Sequence, residues 1–209
     1  MRELPNLSSG QVRQFLDAAR SQRLEALFVA AVMTGARSAE LRGLRWNAVD
    51  LDEGLMHIRV SLHEEQGEWV LTEPKTLKSR RTIALSTTVV DAFRRHRVKQ
   101  NEEALSLGPA WSNPMDLVFT NQVGQPIDRH NLLRREYRPL LRVAGLPETL
   151  TFHDLRSVFA SAALATQPVT FVSETLGHST PVTTLRKYAT AIPGAQRQVA
   201  DAIETAFGA

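Results

Sequence analysis

The 209-residue sequence contains no cysteine, which excludes disulfide bonds and thiolate metal sites. It has no run of eighteen apolar residues and no charged-then-apolar leader, so we expect a soluble, unexported, cytoplasmic protein with no membrane partner. Carboxylates do not cluster at metal-ligand spacing, and we therefore predict no metal site and no cofactor. No internal repeat, low-complexity tract or linker interrupts a chain that is 43% hydrophobic, which predicts one globular domain.

The net charge is only +3, but the basic residues are concentrated in two stretches. Residues 75–100 contain eight Lys or Arg and one acidic residue, and residues 129–142 contain five and one. Residues 50–68 are acidic by contrast. This distribution indicates a surface that faces a polyanion, although two solvated helix faces would give the same pattern.

The stretch from Thr151 to Tyr188 carries polar residues of unusual type within an apolar helical pattern. His153 and Arg156 are three residues apart and should project from one face of a helix, for which Thr151 and Asp154 form a capping box. Taken alone, a His-x-x-Arg pair is most often a surface pair, and a lone Tyr is usually a packing residue.

The rest of this stretch predicts two further short helices. One begins near Thr170 and ends at Gly177, which leaves His178 just beyond its end. The next begins at Thr180-Pro181 and carries Tyr188.

A second candidate lies near the N-terminus. The segment 24–33 is apolar nearly all round, which predicts a central buried helix that ends at Thr34-Gly35. Arg37 follows at once, and Ser38 can cap a short helix that contains Glu40. Considered alone, Arg37 would be a charge partner for the C-terminus of the preceding helix.

The segment between Trp46 and Leu85 predicts a small three-stranded antiparallel sheet, with strands at 55–60, 69–71 and 81–85. Lys75 would lie in the turn that joins the second and third strands, and Lys78 is the competing candidate. Beyond it we expect a helix from Ser86 and a helix capped by Asp128 that Pro139 kinks or divides.

In this order, TGARSAEL, PKTLKSRR, HDLR, LGH and a tyrosine ten residues after that histidine resemble the signature of the tyrosine recombinases, the phage integrase family. The resemblance covers essentially the whole chain. It implies an α+β fold, mainly helical with a small three-stranded antiparallel sheet. It also implies a site-specific DNA recombinase that cleaves and rejoins DNA through a 3′-phosphotyrosyl intermediate and integrates a phage or mobile-element genome.

The same resemblance assigns a role to each candidate. Arg37 and Arg156 would clamp the phosphate, Lys75 would protonate the leaving 5′ oxygen, and Tyr188 would attack. His153 would accept or orient a proton, His178 would hydrogen-bond the phosphate, and Glu40 would support Arg37. Arginine and lysine charges would take the place of a metal ion. The predicted DNA-binding residues are Lys78, Arg80, Arg81, Arg134, Arg135 and Arg138.

The sequence departs from the family pattern in two respects. The first-arginine box arrives at residue 37, so we expect residues 1–209 to form a catalytic domain without a core-binding or arm-binding domain. Ser157 follows the second arginine where a histidine is common, and we expect this change to be tolerated.

The expected partners are double-stranded attachment sites, three further protomers in a tetramer on DNA, and an excision or accessory factor. In solution we expect a monomer. Residues 195–209 predict a C-terminal helix with Val199, Ile203 and Phe207 on one face, exchanged between protomers or folded back on its own core. Two alternatives remain: an enzyme like the type IB topoisomerases, or a catalytically idle DNA-binding domain.

Overall fold

The computed structural model describes residues 7–20, 22–73, 79–188 and 204 of the chain. The helices are α1 (Ser9–Ala19), α2 (Glu25–Thr34), α3 (Ser38–Arg42), α4 (Thr87–Leu107), α5 (Arg129–Asn131), α6 (Arg138–Val143), α7 (Phe152–Leu164), α8 (Val169–Leu176) and α9 (Pro181–Tyr188). The strands are β1 (Val49–Asp50), β2 (Leu55–Ile58), β3 (Ser61–Glu65), β4 (Glu68–Thr72) and β5 (Arg81–Ala84). Within these ranges no helix is both long and apolar enough to cross a membrane.

Helix α2 lies at the centre of the fold because its residues are apolar on nearly every side. All of its residues except Met33 are buried, and it contacts α1, α4 and α7. Glu25, at its first turn, is buried and paired at 2.6 Å with Arg95 of α4. The predicted central helix is therefore confirmed, one residue later in the chain than expected.

Aromatic packing fixes the position at which α7 begins. The Tyr137 ring lies 6.2 Å from that of Phe28 and 5.3 Å from that of Phe152, centroid to centroid. Its hydroxyl donates to the carbonyl of Thr151 at 3.1 Å. Thr151 in turn caps α7 together with Asp154, as the sequence predicts. One buried tyrosine thus ties the core to the N-terminus of α7.

The sheet has three antiparallel strands, but its members differ from the prediction. Strands β1, β2 and β5 pair in that order, with the buried Met56 opposite Ile83. Residues 69–71 belong instead to β4, which pairs with β3 in a separate two-stranded hairpin. Gln66 and Gly67 turn this hairpin, and both have positive φ as a type I′ turn requires. In β3, Leu62 is the one buried residue. The strand therefore lacks the alternation of apolar and polar residues from which a strand can be predicted.

The helix capped by Asp128 is divided as predicted. Asp128 accepts the N–H of Asn131 at 2.7 Å, α5 lasts three residues, and a π-helical turn over Leu132–Tyr137 leads into α6. Pro139 sits in the first turn of α6 and has no N–H to donate, so the regular α-helical hydrogen bonding is interrupted before it.

Several basic residues of α4 are engaged by the chain itself. Arg94 donates to the carbonyl of Leu51 at 3.0 Å, and Arg97 stacks over Trp46 at 5.1 Å from the ring centroid. With the Arg95–Glu25 pair, these contacts place part of the basic stretch 75–100 against the body of the domain.

Candidate active site

Arg37 lies at the turn between α2 and α3. Helix α2 ends at Gly35 in the left-handed conformation, with φ 63°, and a Cβ there would lie 2.5 Å from Phe159. Arg37 occupies the N-cap position of α3, where Ser38 was expected, and its backbone N–H donates to the Glu40 carboxylate at 2.7 Å. The same carboxylate binds the Arg37 guanidinium at 2.7 Å, while 39% of that side chain remains exposed. Arg37 is therefore anchored but available to a ligand.

Arg156 is buried and connects three segments of the chain. Its guanidinium donates to the carbonyl of Gly35 at 2.7 Å and to that of Leu176 at 2.6 Å. A third bond of 3.1 Å reaches Nε2 of His178. Burial lowers the pKa of Arg156 to about 10, and the charge of Arg37 adds to the effect. The side chain therefore stays protonated at neutral pH.

His178 is placed by the end of α8. Gly177 caps that helix in the left-handed conformation, with φ 67°, and His178 follows it as predicted. Its Nε2 faces Arg156, and its Nδ1 lies 2.8 Å from the hydroxyl of Thr184 on α9. Thr184 is completely buried.

Tyr188 ends α9 and is completely buried. Its ring belongs to an apolar cluster that is separate from the main core, formed by α7, α8 and α9. The other buried members of this cluster are Ala160, Leu164, Val172 and Leu176. Ionised Tyr188 would raise the pKa of Arg156, so the two side chains lie close enough to interact. Its hydroxyl is not exposed at the protein surface, so a role of Tyr188 as nucleophile, as predicted from the sequence, would require it to leave this cluster.

His153 and Arg156 separate although both lie on α7. Arg156 points into the interior, whereas His153 is exposed. His153 lines a cleft of about 510 Å³, together with His63, Arg129 and Arg138. The two residues are three apart on one helix as predicted but differ in exposure, because Arg156 is bonded to the carbonyls of Gly35 after α2 and of Leu176 in α8.

Arg81 was expected at a DNA-facing surface, and the structure places it inside. Only 6% of its side chain is exposed, and it grips the Glu40 carboxylate with two bonds of 3.0 and 2.9 Å. Its Nε donates to the carbonyl of Thr175 at 2.6 Å. Arg81 thus orients Glu40, and through it Arg37. Forty-one residues separate Arg81 from Glu40, so no local spacing could have revealed the pair.

The remaining predicted DNA-binding residues are spread over two regions. Arg80 is exposed and paired with Glu73. Arg134 and Arg135 are exposed on the π-helical turn, and Arg138 is exposed where it lines the cleft of His153. Lys75 and Lys78 lie outside the described residues, so their assignment stays a prediction.

Thr184 is the contact that sequence reasoning missed altogether. It lies four residues before Tyr188 on the same helix. That spacing places both residues on one face of α9, and it was the one feature of the sequence that could have indicated Thr184. The sequence does not show that the hydroxyl of this threonine is bonded to His178.

Comparison with known proteins gives consistent matches. The model of the phage integrase family matches residues 5–193 of the chain. The tyrosine recombinase XerC-like protein of Caldanaerobacter subterraneus subsp. tengcongensis is 32% identical over 97% of the chain, and an integrase of Streptomyces ambofaciens is 34% identical over 87%. These matches span 54% and 48% of the two relatives, so the chain corresponds to about half their length.

Solved structures resemble the fold. The Tn1549 transposon integrase in complex with transposon right end DNA superposes with a TM-score of 0.80 at 21% identity, over 100% of this chain and 68% of that one. The catalytic domain of bacteriophage HP1 integrase gives a TM-score of 0.60 at 19% identity, over 95% of each chain. At these identities the likeness concerns the fold.

Proposed function

The chain belongs to the phage integrase family, and from that premise we propose that it is the catalytic domain of a site-specific tyrosine recombinase. It cleaves and rejoins double-stranded DNA through a 3′-phosphotyrosyl intermediate. The observation that carries the proposal is the convergence on Arg156, whose guanidinium bonds the segments that hold Arg37 and His178. Three cationic or hydrogen-bonding groups at one point suit an anionic reaction centre.

The chemistry follows from the residue types. The Tyr188 oxygen attacks the phosphorus, the bond to the 5′ oxygen breaks, and the phosphate remains on tyrosine with its bond energy conserved. Arg37 and Arg156 offset the charge that builds on the nonbridging oxygens. Lys75 gives its proton to the leaving 5′ oxygen, and His153 accepts the proton that the Tyr188 hydroxyl loses. Attack by the 5′ hydroxyl of a second strand reverses the step and exchanges strands.

Several observations support DNA as the partner. Arg138 and Arg129 are exposed beside His153 in the cleft of about 510 Å³, and a duplex backbone would bring phosphates to such a surface. One solved relative is the Tn1549 transposon integrase bound to transposon DNA, and another relative is the ICEBs1 integrase of Bacillus subtilis. On this basis we propose a mobile-element recombinase that acts in the cytoplasm as a tetramer on its attachment sites, with an accessory factor for excision.

A covalent-capture experiment tests the proposal and does not require the sequence of the attachment site. A pool of nicked duplexes with a randomised segment is incubated with the protein, and DNA that resists denaturing washes is recovered. We expect a covalent protein–DNA band that Tyr188→Phe abolishes, because that variant lacks the nucleophilic oxygen. Absence of the band for the wild-type protein over the whole pool would contradict the proposal. Relaxation of supercoiled plasmid by single protomers, without strand exchange, would favour the topoisomerase-like alternative.

A further inference from the structure

His178 is held at both nitrogens of its ring. Nε2 lies 3.1 Å from Nη2 of Arg156, and Nδ1 lies 2.8 Å from Oγ1 of Thr184. Both partners are buried, Arg156 with 2% exposure and Thr184 with none. The ring is therefore fixed between a side chain of α7 and a side chain of α9.

The donor chemistry determines which tautomer is present. A guanidinium can only donate, so Nε2 must accept from Arg156. Nδ1 then carries the proton and donates to the oxygen of Thr184. A doubly protonated ring would set an N–H of His178 against an N–H of Arg156, which this geometry disfavours.

This arrangement does not suit a phosphate bound at Nη2 of Arg156. Nη2 of Arg156 has two hydrogens, and Leu176 and His178 accept them. A phosphate oxygen could accept the Arg156 hydrogen that His178 now accepts. The lone pair of Nε2 would then face an anion, which is unfavourable. His178 can bond that oxygen only when Nε2 carries a proton.

We propose that Thr184 is a positioning residue that holds the His178 ring in place while its tautomer changes. A hydroxyl both donates and accepts, so Thr184 accepts from Nδ1–H at rest and donates to Nδ1 once the proton resides on Nε2. In that change Nδ1 releases one proton to solvent and Nε2 takes one up. The ring itself need not move. The catalytic part of this inference rests on the proposed function.

The place of Thr184 in the fold adds a second consequence. Thr184 and Tyr188 are one helical turn apart on α9, and both are completely buried. A displacement of α9 that carries Tyr188 out of its apolar cluster therefore moves the oxygen bonded to His178. The hydrogen bond between His178 and Thr184 thus couples the histidine to the position of α9, the helix that carries Tyr188.

The test uses three variants of the full chain. Thr184→Val removes the hydroxyl at nearly constant volume, and Thr184→Ser restores it. Thr183→Val is the matched control, because Thr183 precedes Thr184 on α9 but is exposed, and its hydroxyl meets only the exposed Thr180 at 3.4 Å among the described contacts. Nitrogen NMR of the histidine rings, with His178 assigned by His178→Gln, reports the tautomer in the absence of DNA.

In the wild-type protein and in Thr183→Val we expect a protonated Nδ1 and an unprotonated Nε2 at His178. In Thr184→Val we expect the same tautomer, because Arg156 still donates to Nε2, but with broadened ring signals and faster exchange of the Nδ1 proton with solvent, since the ring has lost its second hydrogen bond. Thr184→Ser should restore the wild-type signals. An unchanged His178 spectrum in Thr184→Val would overturn the positioning role. This outcome is decided without any cleavage assay, so it is independent of whether the protein recombines DNA.

The functional arm measures single-turnover cleavage of captured DNA. Thr184→Val should cleave roughly ten-fold more slowly at unchanged DNA affinity, the rate equivalent of about one hydrogen bond. Thr184→Ser should recover most of this rate, and Thr183→Val should match the wild-type protein. If the His178 signals broaden while cleavage by Thr184→Val stays at the wild-type rate, the catalytic part of the inference fails. If the wild-type protein cleaves nothing in the pool, the proposed function fails.

Discussion

Arg156 is a charged residue that directs most of its hydrogen bonds to the protein itself. Its two carbonyl acceptors, on Gly35 and Leu176, hold the plane of the guanidinium in one orientation. A lysine could not replace it, because one ammonium on a flexible stem does not span two carbonyls and a histidine at fixed angles. For the proposed role as a phosphate clamp, this means that the guanidinium is orientated before any ligand arrives.

Arg37 offers the cleaner test of the clamp, since its side chain is 39% exposed and its removal leaves no buried cavity. We expect Arg37→Ala to lose on the order of 10²–10³ in cleavage rate, the usual effect of losing one preorganised donor, with DNA affinity little changed. Single-turnover cleavage and a binding isotherm on the same substrate check this. Arg20→Ala, at an exposed pair with Asp17, is the control. Cleavage by Arg37→Ala within a few-fold of wild type would remove Arg37 from the clamp.

The family resemblance singled out Arg37, Arg156, His178 and Tyr188 because its motifs lie within short stretches, and the structure brings Arg156 and His178 into contact. The catalytic roles of the four residues stay predictions. The inward direction of Arg156 could not be predicted, since its acceptors are backbone atoms of distant segments. Arg81 was misplaced for the same reason: a basic residue beside a basic loop resembles a DNA contact until its carboxylate partner is known.

At the scale of elements, strand β5 ties α3 to α8. Arg81 begins β5, binds Glu40 of α3, and donates to the carbonyl of Thr175 in the last turn of α8. A Cβ at Gly177 would lie 2.9 Å from its guanidinium, so the glycine is required by Arg81 as well as by its positive φ. The turn that carries His178 is therefore positioned by the sheet.

The carboxylate of Glu40 makes the stability of this link between β5 and α3 dependent on pH. Burial by itself would raise the pKa of Glu40, but hydrogen bonds and charges from Arg81 and Arg37 outweigh it and lower the pKa from 4.5 to about 2. A group with a depressed folded-state pKa stabilises the fold above its unfolded pKa, and that stability is lost as the pH falls through the folded pKa. The window is therefore between about pH 4.5 and about pH 2.

Glu40→Gln should abolish this contribution. A shift of this size corresponds to roughly 3 kcal/mol of pH-dependent unfolding free energy, because each pKa unit is worth about 1.36 kcal/mol. We expect urea unfolding to separate Glu40→Gln from the wild-type protein most at neutral pH, with the gap narrowing as the pH falls below 4.5. Glu64→Gln, on the exposed face of the hairpin, should show no such convergence. A gap that stays constant down to pH 2 would contradict the assignment.

Elements with local signals were predictable. The capping box of Thr151 with Asp154 forms as predicted. The β3–β4 hairpin was not recognised as a separate unit, because its polar strands are paired mainly by backbone bonds that side-chain alternation does not reveal.

At the scale of the whole molecule, the apolar interior is divided in two. The main cluster extends from Phe15 in α1 to Leu155 in α7, and the second contains Tyr188. Among the described residues the second cluster is small and is formed by α7, α8 and α9, so opening it would expose far fewer apolar side chains than opening the main one. The exposed Phe171 lies on α8, and the exposed Val182 and Leu185 lie on α9, the two shorter helices of this cluster.

The predicted C-terminal helix belongs to this scale, although residues 195–203 and 205–209 lie outside the described part of the chain. We expect deletion of 195–209 to leave a folded protein that binds DNA as single protomers but forms no larger complexes and does not recombine. Thermal unfolding and gel-shift stoichiometry measure the two effects. The full-length triple substitution of Val199, Ile203 and Phe207 by Ser is the matched variant. A large fall in melting temperature would favour the folded-back helix, and unchanged assembly and recombination would contradict both interpretations.

The bonds from Arg156 to two main-chain carbonyls have an evolutionary consequence. Every amino acid supplies a carbonyl, so the acceptor at position 176 survives any substitution that preserves the course of the backbone. The acceptor at Gly35 is restricted only by its positive φ and by the approach of Phe159. The orientation of this buried cation therefore tolerates a change of side chain at position 176, whereas at position 35 it depends on glycine.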